Sequence, residues 1–122
     1  MSLLNQKTLN KAFTFEGVGL HSGKISTVNM LPSGPNTGIT FRRTDIKKNN
    51  TIIPSIFNVS EANYCTTVAN EYGIKVSTIE HLMAALFIKG IDNVIIEING
   101  EEVPILDGSS MEFVKKIENV GI

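Results

Sequence analysis

A carboxylate and an imidazole stand side by side at Glu80-His81. They lie in the run Ser77-Thr78-Ile79-Glu80-His81, which opens the apolar stretch Leu82-Met83-Ala84-Ala85-Leu86-Phe87-Ile88. In the first turn of a helix, such a pair can be a general base beside a metal ligand. The same residues also read as an ordinary helix start. Ser77-x-x-Glu80 has capping-box spacing, and an acidic residue in the first turn suits the helix dipole. His81 by itself fits a satisfied, half-buried histidine as well as it fits a ligand. Catalytic zinc usually needs three protein ligands and an open water position. Here the only other histidine is His21, the only cysteine is Cys65, and neither Cys-x-x-Cys nor His-Glu-x-x-His occurs. On these residues alone both readings stay open.

Other segments carry weaker chemistry. Gly17-Val18-Gly19-Leu20-His21-Ser22-Gly23 places three glycines in seven residues, which suggests a tight connection or a backbone that something approaches closely. It lacks the Gly-x-x-x-x-Gly-Lys spacing of a phosphate loop. Asp107-Gly108 is a common turn dipeptide, with catalysis the minority reading for Asp107. Arg42, Arg43, Lys47 and Lys48 read as a solvated hairpin tip, and Cys65 as a small buried side chain.

Behind these candidates lies a chain of 122 residues, 42% hydrophobic and 19% charged, which fits one globular domain near the small end for a complete enzyme. A net charge of -1 gives no electrostatic case for nucleic acid or an anionic membrane surface. One cysteine makes no internal disulfide, so a reducing cytoplasm fits best. The first residues, Met1 to Lys7, hold no apolar run of signal-peptide length, and no stretch approaches a transmembrane segment. The expectation is a soluble domain.

The elements that must position the candidates follow from pattern. Thr8 to Phe15 reads as a first strand, Lys24 to Leu31 as a second and Ile39 to Arg43 as a third, with a Pro/Gly loop from Pro32 to Gly38. A polar turn follows from Asp45 to Asn50. Ile52-Ile53, Ile56 to Val59 and Thr66 to Ala69 are further strand candidates. A helix is expected from about Thr78 to Lys89, stopped by Gly90 at C′. Asn93 to Ile98 is a strand turned by Asn99-Gly100. Ser109 to Val120 is a second helix, amphipathic through Met111, Phe113, Val114, Ile117 and Val120, with Ser109-x-x-Glu112 as a capping box and Gly121 at its end. Many strands and two helices without regular alternation predict an α+β fold, a two-layer sandwich of a mixed or antiparallel sheet packed with two helices.

The first helix is unusually apolar. On a helical wheel Ile79, Leu82, Met83, Leu86 and Phe87 form the expected core stripe. The other side carries His81, Ala84, Ala85 and Ile88, with no charge between Glu80 and Lys89. An exposed apolar patch is therefore expected around Ala84, Ala85 and Ile88, suited to a second layer that this chain does not supply.

Taken in order, these segments resemble one family. Gly17 to Gly23, Thr37-Gly38-Ile39, Phe41-Arg42-Arg43-Thr44-Asp45, Ser77 to Leu82, Gly90-Ile91-Asp92-Asn93 and Pro104-Ile105-Leu106-Asp107-Gly108-Ser109 match the order and spacing of the UDP-3-O-acyl-N-acetylglucosamine deacetylases. These are the zinc amidases of lipid A biosynthesis in Gram-negative bacteria. The likeness runs from about Gln6 to the end. It implies a ribosomal protein S5 domain 2-like fold for residues 1–122, the N-terminal and first of two similar domains, with the active site between them and the full-length enzyme a monomer.

By the same resemblance His81 is one of three ligands to Zn2+, and Glu80 is the general base toward water at the metal. Leu20, His21 and Cys65 lie near a pocket for the UDP-linked acylated N-acetylglucosamine. Asp107 and Ser77 are supporting residues. The reaction implied is hydrolysis of the N-acetyl group to acetate and a free amine, the committed step of lipid A biosynthesis.

The family's remaining ligands, from a His-x-x-x-Asp motif, belong to its second domain, together with a catalytic histidine, an oxyanion-stabilising threonine and the acyl-chain passage; none of these occurs in the chain. Asn63-Tyr64 stands where the family more often has bulky apolar residues, and Ser22 replaces the usual threonine. Without the second domain the isolated chain is expected to be inactive. The alternative function is a stand-alone, non-catalytic α+β binding or interaction domain.

Overall fold

Residues 5–55, 58–62 and 65–122 are described by the structure, a computed structural model. Five segments, alternating in burial along their length, build the main sheet. Strands β1 (Phe13–Val18), β2 (Ile25–Pro32), β3 (Ile39–Arg43), β4 (Thr51–Ile52) and, late in the chain, β8 (Val94–Ile98) assemble in the order β1-β2-β8-β3-β4. All pairings are antiparallel except β3 with β8, where Phe41 lies opposite Ile96. A smaller antiparallel sheet holds β5 (Val59–Ala62), β6 (Cys65–Ala69) and β7 (Lys75–Ser77). The two helices are α1 (Glu80–Ile88) and α2 (Met111–Val120). This is the expected α+β architecture.

Because strand side chains alternate faces, one side of the main sheet is apolar. Phe15, Val28, Met30, Phe41, Ile52, Val94, Ile96 and Ile98 are buried there and join Leu82, Ala85, Leu86, Phe113, Val114 and Ile117 from the helices in one core. Each Val, Leu, Ile, Met or Phe among them contributes about 1.5–3 kcal/mol by leaving water. The other face mixes polar residues with Val18, Ile25, Leu31 and Ile95, and there Arg42 Nη1 meets Glu97 Oε2 at 3.0 Å.

The first strand starts later than its composition suggested. Register with β2 sets it, Phe13 opposite Met30 and Val18 opposite Ile25, so Gly17 and Val18 of the glycine-rich segment are strand. Residues before Phe13 instead run beside Asp92 and Asn93, with Leu9 buried. Of the other expectations, Ile56 and the Asn63-Tyr64 departure lie outside the described residues, as do Met1 to Leu4.

Strand β7 was not anticipated. Arg43 also departs from its expected solvated hairpin tip. It is 5% exposed, bidentate to Asp45 at 2.9 and 2.6 Å, and donates to the Lys75 carbonyl at 2.9 Å. That pairing, led by the hydrogen bonds from Arg43, holds the Asp45 carboxyl below its ordinary value.

Helix α1 ends as predicted. Gly90 takes φ 69°, its amide reaches the Phe87 carbonyl at 3.1 Å, and Ile91 N reaches Leu86 O at 2.9 Å, which is the Schellman arrangement. Its phase differs from the wheel. The buried arc centres on Leu82, Ala85 and Leu86, while Phe87 is 87% and Ile88 58% exposed. Ala84 is exposed but Ala85 is fully buried. An exposed apolar patch is present, therefore, but it is made of Ala84, Phe87 and Ile88. A helix with no polar residue across its middle carries no mark of which side meets the sheet.

Neither capping box forms. The N-cap of α1 is Ile79 and that of α2 is Ser110, both in the helical region with no side-chain cap bond. Ser77 is held back in β7, its amide donating to Glu101 O and its Oγ accepting from the Thr67 hydroxyl at 3.1 Å. Ser109 binds Asp107 instead, and Met111, at the first helical position, is 54% exposed rather than core.

Candidate active site

The start of α1 is fixed by the small sheet rather than by a cap. Thr66, on β6, takes the amides of Thr78 at 2.8 Å and Ile79 at 3.4 Å on its carbonyl. Its own amide donates to Glu80 Oε2 at 3.0 Å. The carboxylate that the sequence assigned either to capping or to catalysis is thus aimed across at β6. Its second oxygen, Oε1, is buried and has no hydrogen-bond partner among the described residues. An unpartnered buried acceptor costs free energy, and such atoms concentrate where a ligand or reacting group completes them.

Thr78 has φ 60°, a region that β-branched residues enter at a cost of about 1–3 kcal/mol. Its hydroxyl donates to Glu102 Oε2 at 2.5 Å, a strong charge-assisted bond. The turn sends the chain from β7 into α1 so that Glu80, His81, Ala84, Phe87 and Ile88 share the face away from the core. His81 is half-buried on that face.

The glycine-rich loop approaches from the β1–β2 hairpin. Its amides at His21 (3.1 Å to each oxygen) and Ser22 (2.7 Å) donate to the Glu102 carboxylate, which is 4% exposed. A Cβ on Gly19 would collide with that carboxylate, which explains a glycine here on steric grounds. Burial pushes the Glu102 carboxyl up. Hydrogen bonds from the Thr78 hydroxyl and the Ser22 and His21 amides outweigh it and hold the group below its ordinary 4.5.

His21, Ser22, Cys65, Thr67, Ser77, Lys75 and Glu102 line one groove of about 480 Å3. The structure therefore brings His21 and Cys65 together, with Ser77 between β6 and the loop. Cys65 is half-buried, its sulfur 3.9 Å from Thr67 Oγ1. Leu20 is 60% exposed on the same loop but does not line the groove. Asp107 stands apart, exposed, accepting the Ser109 amide at 3.0 Å and its hydroxyl. The Ser109 amide is the main reason its carboxyl is lowered.

Sequence reasoning missed Thr78 and Glu102. A signal for Glu102 was present: an acidic residue directly before the apolar Val103-Pro104-Ile105 enters a buried stretch and must be satisfied there.

Residues 6–122 match the family profile LpxC, UDP-3-O-acyl N-acetylglycosamine deacetylase. UDP-3-O-acyl-N-acetylglucosamine deacetylases of Brucella melitensis biotype 2 and of Brucella ovis are each 40% identical over 117 residues. That alignment covers 96% of this chain and 41% of the relative, so the chain spans less than half the length of these curated relatives.

Proposed function

The chain belongs to the UDP-3-O-acyl-N-acetylglucosamine deacetylase family of lipid A biosynthesis, and from that premise we propose that it forms the N-terminal domain and supplies half of the active site. The single observation that carries this reading is the Glu80-His81 pair on the outward face of α1, with Glu80 Oε1 buried and unpartnered among the described residues. The substrate is UDP-3-O-(3-hydroxyacyl)-N-acetylglucosamine, and hydrolysis of its N-acetyl amide gives acetate and a free amine. A setting in the cytoplasm agrees with the single cysteine.

The donor set fits zinc in part. His81 offers one imidazole, and among the described residues no three His, Cys, Asp or Glu side chains come together. The remaining ligands would come from the portion of the family's chain that these residues do not match. Zinc held there would acidify water and polarise the amide carbonyl. Glu80 is oriented by the Thr66 amide through Oε2, which leaves Oε1 to accept the proton of the attacking water. His21 and Cys65 border the groove that would receive the polar part of the substrate. The exposed Ala84, Phe87 and Ile88 give the second domain an apolar face to cover.

The test is an assay of the complete gene product, read to its stop codon, on the UDP-linked substrate. Acetate and free amine should appear in equal amounts, cease on chelation and return with zinc. A folded, zinc-loaded protein that releases no acetate would instead favour a non-catalytic interaction domain.

A further inference from the structure

Glu102 is the most heavily bonded buried carboxylate described here, and no bond to its side chain comes from the apolar core. Its backbone is fixed by a parallel bridge to Ser77, with Ser77 N on Glu101 O at 2.6 Å and Val103 N on Ser77 O at 3.0 Å. From there the side chain reaches two segments distant in sequence. One is the glycine-rich loop, through the His21 and Ser22 amides; the other is the Thr78 turn, through its hydroxyl. The first carries His21 into the groove. The second launches α1 two residues before Glu80.

We propose that Glu102 is a positioning residue for the reaction: one buried carboxylate locks the glycine-rich loop and the Thr78 turn together, and so sets the groove against the Glu80-His81 pair. This rests on the reading of Glu80-His81 as the reacting pair. Three features of the chain converge on it. Gly19 leaves room for the carboxylate, since any side chain would strike it. Thr78 keeps a left-handed conformation that its hydroxyl bond to Glu102 helps to hold. Ionised, the carboxylate satisfies the two loop amides and the hydroxyl at once.

The test uses Thr78→Val, which keeps the shape and removes the donor, with Thr78→Ser as the conservative rescue. Neither touches the loop. Amide hydrogen exchange at His21 and Ser22 should accelerate at least tenfold in Thr78→Val and return in Thr78→Ser. Val28 and Ile96 in the main sheet should stay unchanged. In the complete gene product Glu102→Gln should lower kcat by tenfold or more per folded molecule, with the larger effect in kcat than in KM. Unchanged exchange at His21 and Ser22 in Thr78→Val overturns the coupling. A Glu102→Gln protein that melts earlier yet keeps kcat overturns the positioning role. If Glu102→Gln does not fold, the Thr78 pair decides by the same exchange and kcat readouts. If the unmodified gene product lacks turnover, the deacetylase reading fails separately, and the exchange result still decides whether Glu102 couples loop and turn.

Discussion

Replacing Glu80 by alanine in the complete gene product should lower kcat by about 10²- to 10⁴-fold, the usual worth of a positioned general base, while zinc remains bound. The expectation follows from the two different environments of its oxygens. Oε2 is committed to the Thr66 amide, and Oε1 is buried without a partner among the described residues. Alanine also leaves the Thr66 amide unsatisfied at a cost of about 1–3 kcal/mol, so a loss of activity alone would be ambiguous. Glu80→Gln separates the two effects. Its amide oxygen can still accept from Thr66, but it cannot take a proton at neutral pH. Equal loss in both variants, with zinc content unchanged, identifies proton transfer as the missing step. Near-normal turnover in either would end the assignment of Glu80 as the base.

The largest stability effect is expected at Phe41. This ring is fully buried in β3, opposite Ile52 on β4 and Ile96 on β8, within the common core. Phe41→Ala should cost about 3–5 kcal/mol, from lost transfer free energy plus an incompletely collapsed cavity. Set against a total of about 5–15 kcal/mol, that is a large fraction, and a shift of the urea midpoint would report it. Phe87→Ala provides the contrast. Phe87 is 87% exposed, so its removal should change stability by less than about 0.5 kcal/mol. Comparable losses at the two positions would mean that α1 is rotated from the orientation described.

Those two phenylalanines also show what was legible in the chain. Phe41 sits in Ile39-Thr40-Phe41-Arg42-Arg43, where alternation marks a strand and its inner face, and β3 lies where that pattern put it. The same logic located β2, β8 and α2, and Gly90 marked the end of α1. Phe87 sits in seven consecutive apolar residues, which carry no polar position to fix a phase. Its exposure was therefore not legible. Strand β7 is three residues long and exists through its neighbours β6 and Glu102, partners remote in sequence. Arg43 belongs to a run of basic residues that composition alone sends to the surface. Its burial depends on Asp45 and the Lys75 carbonyl.

The site was legible in a similar, partial way. The Glu80-His81 pair was visible from residue type, whereas nothing in the local sequence around His21 or Cys65 places the two in one groove. Capping-box spacing at Ser77 and Ser109 misled because it specifies distance along the chain but not where the helix begins. Tertiary bonds to Thr66 and Thr67 outcompeted the local cap at Ser77. Thr78 gave no sign of a left-handed conformation, since its side chain disfavours it and only the assembled turn holds it there.

The central claim is that His81 is a zinc ligand in a site completed by the rest of the family's chain. Zinc affinity of the complete gene product, compared with that of His81→Ala, tests it most directly. The account predicts one zinc per chain in the unmodified protein and an affinity at least a hundredfold weaker in the variant, with the fold intact by hydrogen exchange in the main sheet. Equal zinc affinity in a folded His81→Ala protein would contradict it.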